Sequence, residues 1–260
     1  MLDLVQRIRS LARPLAPLPT GVAPRLAPLP GIRAVLFDLY GTLFVSGAGE
    51  VGATTETSTD PRLLDAIRSR HEAARAAGVD HPEIDIQEIW RELLGGDAAL
   101  AKTRAVDYEW RVNPVWPMPG AGEVLRALRD RGLLLGIVSN AQFFTPPLFE
   151  ALLGEDAASL GFDPDACAWS YVLGRAKPSP LVYRHAMKAW AQRGIRPGEI
   201  LMVGNDMRND VLAAAGCGLR TALFAGDARS LRLRGGSTAD APPDVVLTDL
   251  GQLPPLLIRG

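Results

Sequence analysis

Cysteine is scarce in this chain. The two present, Cys167 and Cys217, are too few for a disulfide framework and lack the C-x-x-C spacing of a zinc knuckle, so buried free thiols in a reducing compartment are expected. Histidine is equally sparse: His71, His81 and His185 share no metal-ligand spacing, which points to surface or packing roles. No apolar run approaches the ~20 residues that a membrane helix needs. Met1 to Ser10 carries Asp3, Arg7 and Arg9, and no continuous apolar stretch leads to a small-residue cleavage site, so no signal peptide is expected and a cytoplasmic location is. Neither sign of charge is in excess. Lys plus Arg number 28 against 29 Asp plus Glu, and this net charge of −1 argues against wholesale binding to nucleic acid or to anionic membrane.

What is present is a chain of 260 residues, 47% hydrophobic and 22% charged, long enough to bury a sizeable core without cross-links. Residues 1–30 stand apart. Six of the 21 prolines fall here (Pro14, Pro17, Pro19, Pro24, Pro28 and Pro30), and LAPLP occurs twice, at 15–19 and 26–30. Proline removes donors and biases its neighbours toward extended backbone, so no packed helix or sheet is expected after Ser10. The segment reads as a Pro-rich arm that lies on the surface or stays disordered, with docking to a protein partner as its alternative use.

At Ile32 the texture changes. Ile32 to Phe37 is an apolar run broken only by Arg33 and ending at Asp38, which reads as a buried strand. Leu133–Val138, Trp169–Leu173, Ile200–Val203, Leu219–Phe224 and Val245–Leu247 read as further strands, with helical periodicity between most of them. That alternation predicts an α/β fold with a doubly wound, mostly parallel sheet. A Gly/Ser/Thr-rich linker covers 46–59. Three helical stretches follow. The first is capped by Asp60-Pro61 and closed by Gly78, the second opens on Asp85 with Glu88 three residues later, and the third runs from about Ala98 to Arg111. The expected organisation is therefore an arm at 1–30, a core at 31–44 and 117–260, and a helical insert at 45–116. Trp90, Trp110 and Trp116 suit packing at the insert or its interface, or the lining of a pocket.

In such sheets, sites lie outside the carboxyl ends of the strands. Four segments can converge there: Asp38-Leu39-Tyr40-Gly41-Thr42, Ser139-Asn140, Lys177 in the run Gly174 to Pro180, and Gly204-Asn205-Asp206-Met207-Arg208-Asn209-Asp210. An Asp at the tip of a buried strand is costly unless paired or used. Together the segments offer a carboxylate nucleophile, neutral donors, one cation and a second acidic pocket.

These four ordered motifs resemble those of the haloacid dehalogenase superfamily of aspartate-nucleophile hydrolases, across Ile32 to Leu257. The resemblance implies a Rossmann-like core with the insert acting as a helical cap of the C1 type. It implies Asp38 as nucleophile, forming a covalent aspartyl intermediate, with Thr42, Ser139, Asn140 and Lys177 as catalytic partners. Tyr40, Ser139, Asn140 and Lys177 would bind substrate. In the family's phosphatases Mg²⁺ bridges nucleophile and phosphate. Its ligands here map to Asp38, the Tyr40 carbonyl and the Asn205, Asp206 and Asp210 cluster. Two positions depart from that pattern. Tyr40 stands where the phosphatases carry a second Asp that protonates the leaving oxygen, and Asn205 stands where they carry an Asp ligand. The D-x-Y-G-T form is shared with metal-independent 2-haloacid dehalogenases, and Tyr183 matches a position in them. No clear match to their arginine-bearing cap segment is found, and Arg62, Arg68 and Arg70 read as a solvated helix face. The implied function is a Mg²⁺-dependent phosphatase acting on a small phosphorylated metabolite. Metal-independent dehalogenation is one alternative, and a degenerate binding protein that turns nothing over is the other.

Overall fold

Six short apolar segments build the centre of the molecule. The computed structural model describes residues 4–50, 60–234 and 242–258, and we number the strands of its central sheet in chain order. They are β1 (Ala34–Phe37), β2 (Leu134–Ser139), β3 (Phe162–Trp169), β4 (Ile200–Gly204), β5 (Arg220–Phe224) and β6 (Val245–Leu247). Every pairing is parallel and the spatial order is β3-β2-β1-β4-β5-β6. Phe37 sits opposite Ile137 on one side and Val203 on the other.

The alternation of side chains explains why β1 is apolar throughout. Ala34 and Leu36 pack into one cluster with Val138, Tyr183, Trp190 and Met202. Val35 and Phe37 pack into the opposite cluster with Leu125, Ile137, Leu201 and Val203. A strand covered on both faces has no position left for a polar side chain until it ends. Helix Pro180–Ala191 covers the first face and helix Ala121–Asp130 the second. The chain leaves β1 toward β2 and enters β4 from the other direction, so the crevice between the ends of β1 and β4 is the switch point of the sheet.

Between β1 and β2 lie helices Pro61–Ala76, Ile86–Leu93 and Ala98–Val112, each capped by an aspartate: Asp60, Asp85 and Asp97. Phe44–Ser46 and Val115–Pro117 pair antiparallel at the base of this insert, Val45 opposite Trp116. Residues 51–59 of the expected linker lie outside the described residues. Among the described residues no helix is long and apolar enough to cross a membrane.

Two expectations fail. The strand expected at Trp169–Leu173 is instead the end of β3 followed by a short helix, Ser170–Leu173. β3 begins at Phe162, and Asp163-Pro164-Asp165 hides it by breaking the apolar run. There the register slips between Leu135 and Ile137, and Asp163 turns aside to accept the Trp190 indole N–H at 3.1 Å. The arm is also more ordered than its prolines suggest. Helix Leu4–Leu11 buries Val5 and Ile8, Arg25 exchanges backbone hydrogen bonds with Val246, and Leu29–Pro30 pairs in parallel with Leu257–Ile258. Proline removes only its own donor, and Arg25 and Gly31 keep theirs.

Candidate active site

The backbone of Asp38 continues the β1–β4 pairing by donating to the Val203 carbonyl at 2.9 Å, which holds its side chain at the switch point. The chain then turns sharply. The N–H groups of Thr42, Leu43 and Phe44 all donate to the Leu39 carbonyl. Gly41 takes a φ of +88°, and a Cβ there would lie 2.3 Å from Cβ of Ser230, so both conformation and space require glycine. The turn brings Thr42 back beneath Asp38.

Asp38 is buried and fully partnered on one side. Its Oδ1 accepts from Lys177 Nζ at 2.6 Å and from Ser139 Oγ at 3.1 Å. Its Oδ2 has a single long contact, Thr42 Oγ1 at 3.5 Å. Lys177 also reaches Asp210 Oδ1 at 2.6 Å, and both of its partners are almost wholly buried. Burial alone would lower the Lys177 ammonium, but Asp210 and Asp38 hold it above its ordinary value. Burial pushes the Asp210 carboxyl up, to about 7, against the pull of Lys177.

Asn140 holds this lysine in place by accepting the Lys177 backbone N–H on Oδ1 at 2.8 Å. Asn140 also lines the pocket. Asn205 Oδ1 accepts from Thr42 Oγ1 at 3.2 Å, and its amide N–H₂ donates to the Ser230 carbonyl. Asp206 is committed elsewhere. It caps the π-helical turn Met207–Leu212 by accepting from the N–H groups of Arg208 and Asn209, and it pairs with Arg234. Burial opposes ionisation of Asp206, but Arg234 and those N–H groups hold it below the usual carboxylate range. Tyr40 lines the pocket, while its hydroxyl shares a hydrogen bond of 2.8 Å with Thr145. Burial and the nearby Glu109 keep this phenol well above its ordinary value, so it stays neutral. The Tyr183 hydroxyl is spent on the Asn209 carbonyl.

All four expected segments thus meet in one pocket, lined by Asp38, Tyr40, Asn140, Lys177, Asn205, Asp206 and Asp210. Thr42 and Ser139 lie directly behind it as partners of Asp38. The cavity of about 60 Å³ has room for a phosphoryl-sized group and a few waters. Sequence reasoning missed Glu50, Asn209, Ser230 and Arg232, which also line it. Ser230 and Arg232 follow β5, and the rule that sites gather beyond strand ends could have found them. They are stitched to the site through Arg232 N to Asn205 O at 3.0 Å and Met207 N to Arg232 O at 2.9 Å. The Ser230 hydroxyl is buried and has no hydrogen-bond partner among the described residues. Among the described residues no three His, Cys, Asp or Glu side chains form a metal cluster, so a cation here would rely partly on carbonyl, amide and water oxygens.

Comparison with known proteins agrees with this geometry. Residues 32–218 match the family model of haloacid dehalogenase-like hydrolases. The chain is 26% identical over 206 residues to the N-acetylmuramic acid 6-phosphate phosphatase of Pseudomonas aeruginosa, covering 74% of this chain and 80% of that one. It is 30% identical over 235 residues to a phosphoglycolate phosphatase of Photorhabdus laumondii, covering 86% and 92%. Among solved structures, the L-2-haloacid dehalogenase of Xanthobacter autotrophicus with chloropropionic acid covalently bound aligns with a TM-score of 0.54 at 25% identity, covering 86% of this chain and 98% of that one. A match across most of the chain, on the fold whose strand ends carry Asp38, Ser139 and Asn205, makes this protein an enzyme of the haloacid dehalogenase-like hydrolase family.

Proposed function

We propose that the protein hydrolyses a small phosphomonoester through an aspartyl-phosphate on Asp38. The observation that carries this reading is the asymmetry of the Asp38 carboxylate. Oδ1 is held by Lys177 and Ser139, while Oδ2 has only the long Thr42 contact and serves as the attacking oxygen. Oδ2 bonds to phosphorus as the ester oxygen leaves, and water then releases phosphate from Asp38. The Asn140 amide and the Lys177 ammonium orient the phosphoryl oxygens and offset their charge. The insert at 45–116 acts as a cap over the site. Relatives that are phosphatases of small phosphorylated compounds support the substrate class.

The donor set suits Mg²⁺. Four carboxylates line the pocket (Asp38, Glu50, Asp206 and Asp210) against Lys177, Arg232 and the Arg234 that pairs with Asp206, and an incoming phosphate adds further negative charge. The Tyr40 carbonyl accepts no hydrogen bond among the described residues. Asp38, the Tyr40 carbonyl and Asn205 would hold the ion, with Asp206 and Asp210 around them. Bound there, it would offset repulsion between the carboxylates and the phosphate.

The test is phosphate release from a panel of phosphomonoesters with Mg²⁺, comparing the protein with Asp38→Asn. Loss of release in the variant, and in the protein treated with EDTA, is expected. Equal release by both proteins would remove Asp38 as nucleophile. The dehalogenase reading is favoured by one observation, Tyr40 in place of a carboxylate, since halide leaves without a proton. It predicts chloride release from 2-chloropropionate that EDTA does not affect.

A further inference from the structure

Hydrolysis of an alkyl phosphate needs a proton at two moments. The leaving oxygen must receive one, and the water that attacks the aspartyl-phosphate must lose one. Tyr40 occupies the position two residues beyond the nucleophile, but its hydroxyl is engaged with Thr145 and its phenol stays neutral. Some other group has to move that proton.

Four carboxylates line the pocket, and three are spent. Asp38 is the nucleophile, Asp206 caps a helical turn and pairs with Arg234, and Asp210 is held by Lys177 and by the Asp206 N–H at 2.9 Å. Glu50 is different. It lines the same pocket, it is exposed, and it makes no hydrogen bond or ion pair among the described residues; its charge acts on Arg234.

The approach of Glu50 to the pocket is built into the backbone. Ser46 and Ala48 are tied to Asn113 at 2.7 and 3.0 Å, and Gly47 donates to the Pro114 carbonyl at 2.9 Å. Gly49 then takes a φ of +87° and presses against the 229–232 segment, where a Cβ would lie 2.4 Å from the Arg229 carbonyl oxygen and 2.5 Å from the Arg232 guanidinium. Only glycine fits this contact, and it sets the next residue, Glu50, at the pocket's edge.

We infer that Glu50 is the acid and base of the reaction, taking the role that Tyr40 cannot fill; the inference rests on the phosphomonoesterase reading above. In the first step Asp38 Oδ2 bonds to phosphorus, the bond from phosphorus to the ester oxygen breaks, and that oxygen takes the proton of the Glu50 carboxyl. In the second step the Glu50 carboxylate takes a proton from water as the water oxygen bonds to phosphorus, and the bond from phosphorus to Asp38 breaks. Ester and water become alcohol and phosphate, and both carboxyl groups return to their starting state.

The experiment uses the full chain with Mg²⁺ and two probes: glycerol 2-phosphate, whose alkoxide needs a proton to leave, and p-nitrophenyl phosphate, whose phenolate does not. Glu50→Gln should lower glycerol 2-phosphate turnover by about 10²–10⁴-fold. With p-nitrophenyl phosphate it should give a stoichiometric burst of p-nitrophenolate followed by slow turnover, because the aspartyl-phosphate accumulates. Glu50→Asp should recover part of the loss, which shows that the carboxyl matters rather than the fold of the loop. Full retention of glycerol 2-phosphate turnover in Glu50→Gln would overturn the inference. So would equal losses on both probes without a burst. A parent protein that hydrolyses neither probe would instead remove the phosphomonoesterase reading, and this role with it.

Discussion

Lys177 Nζ lies 2.6 Å from Asp38 Oδ1 and 2.6 Å from Asp210 Oδ1, joining two buried carboxylates of the pocket. In the proposed reaction the Asp38 contact leaves Oδ2 as the attacking oxygen. It also stabilises a strand tip that would otherwise carry unpaired buried charge.

Removing the cation should therefore cost stability as well as activity. Lys177→Met leaves Asp38 and Asp210 facing each other in a buried site, and a loss of about 3–5 kcal/mol in denaturant unfolding is expected. Phosphate release should fall with it. A variant as stable as the parent would mean that the two carboxylates find other partners.

Asp210 makes stability depend on pH in a particular direction. Burial raises it from 3.8 to about 7 in the folded chain. A carboxyl raised in this way favours the folded state fully below its unfolded value, and that advantage disappears as pH rises through its folded value. The stability of the parent relative to Asp210→Asn should therefore decline between those two values. Denaturant midpoints measured across that window check it, and a constant difference would contradict it.

Asn205→Asp tests the cation. The amide oxygen of Asn205 faces Thr42 beside Asp38, and a carboxylate there adds charge to the same lone-pair position. The Mg²⁺ concentration giving half-maximal phosphate release should fall. No change would show that this residue does not reach the ion.

The arm is expected to be part of the fold. Leu29 is fully buried and its segment pairs with Leu257–Ile258. Leu29→Ala should cost about 2–5 kcal/mol in unfolding experiments, the range for emptying a packed leucine site. A variant within error of the parent would return the arm to the role of a loose surface segment.

The residues that sequence reasoning located are those whose signal is local. β1 is a pure apolar run because both of its faces are covered, and the first polar residue after it is Asp38. Ser139 and Asn205 mark strand ends in the same way. β3 escaped because Asp163-Pro164-Asp165 bulges from the sheet, and a bulge looks like a turn when read along the chain. The partners of the arm could not be read either, since the pairing of Leu29–Pro30 with Leu257–Ile258 joins segments at opposite ends of the chain.

What the amino-acid order determined alone was the sheet apart from β3, the strand-end Asp38 and the three segments that meet it, because hydrophobic period and strand-end polarity are written residue by residue. Only the tertiary structure decided how the carboxylates divide their work. Asp206 is drawn to Arg234 and Asp210 to Lys177, while Glu50 is carried to the pocket by the fit of Gly49 against the 229–232 segment. Those outcomes depend on distances between segments far apart in the chain, and charge and close packing act through space rather than along the backbone.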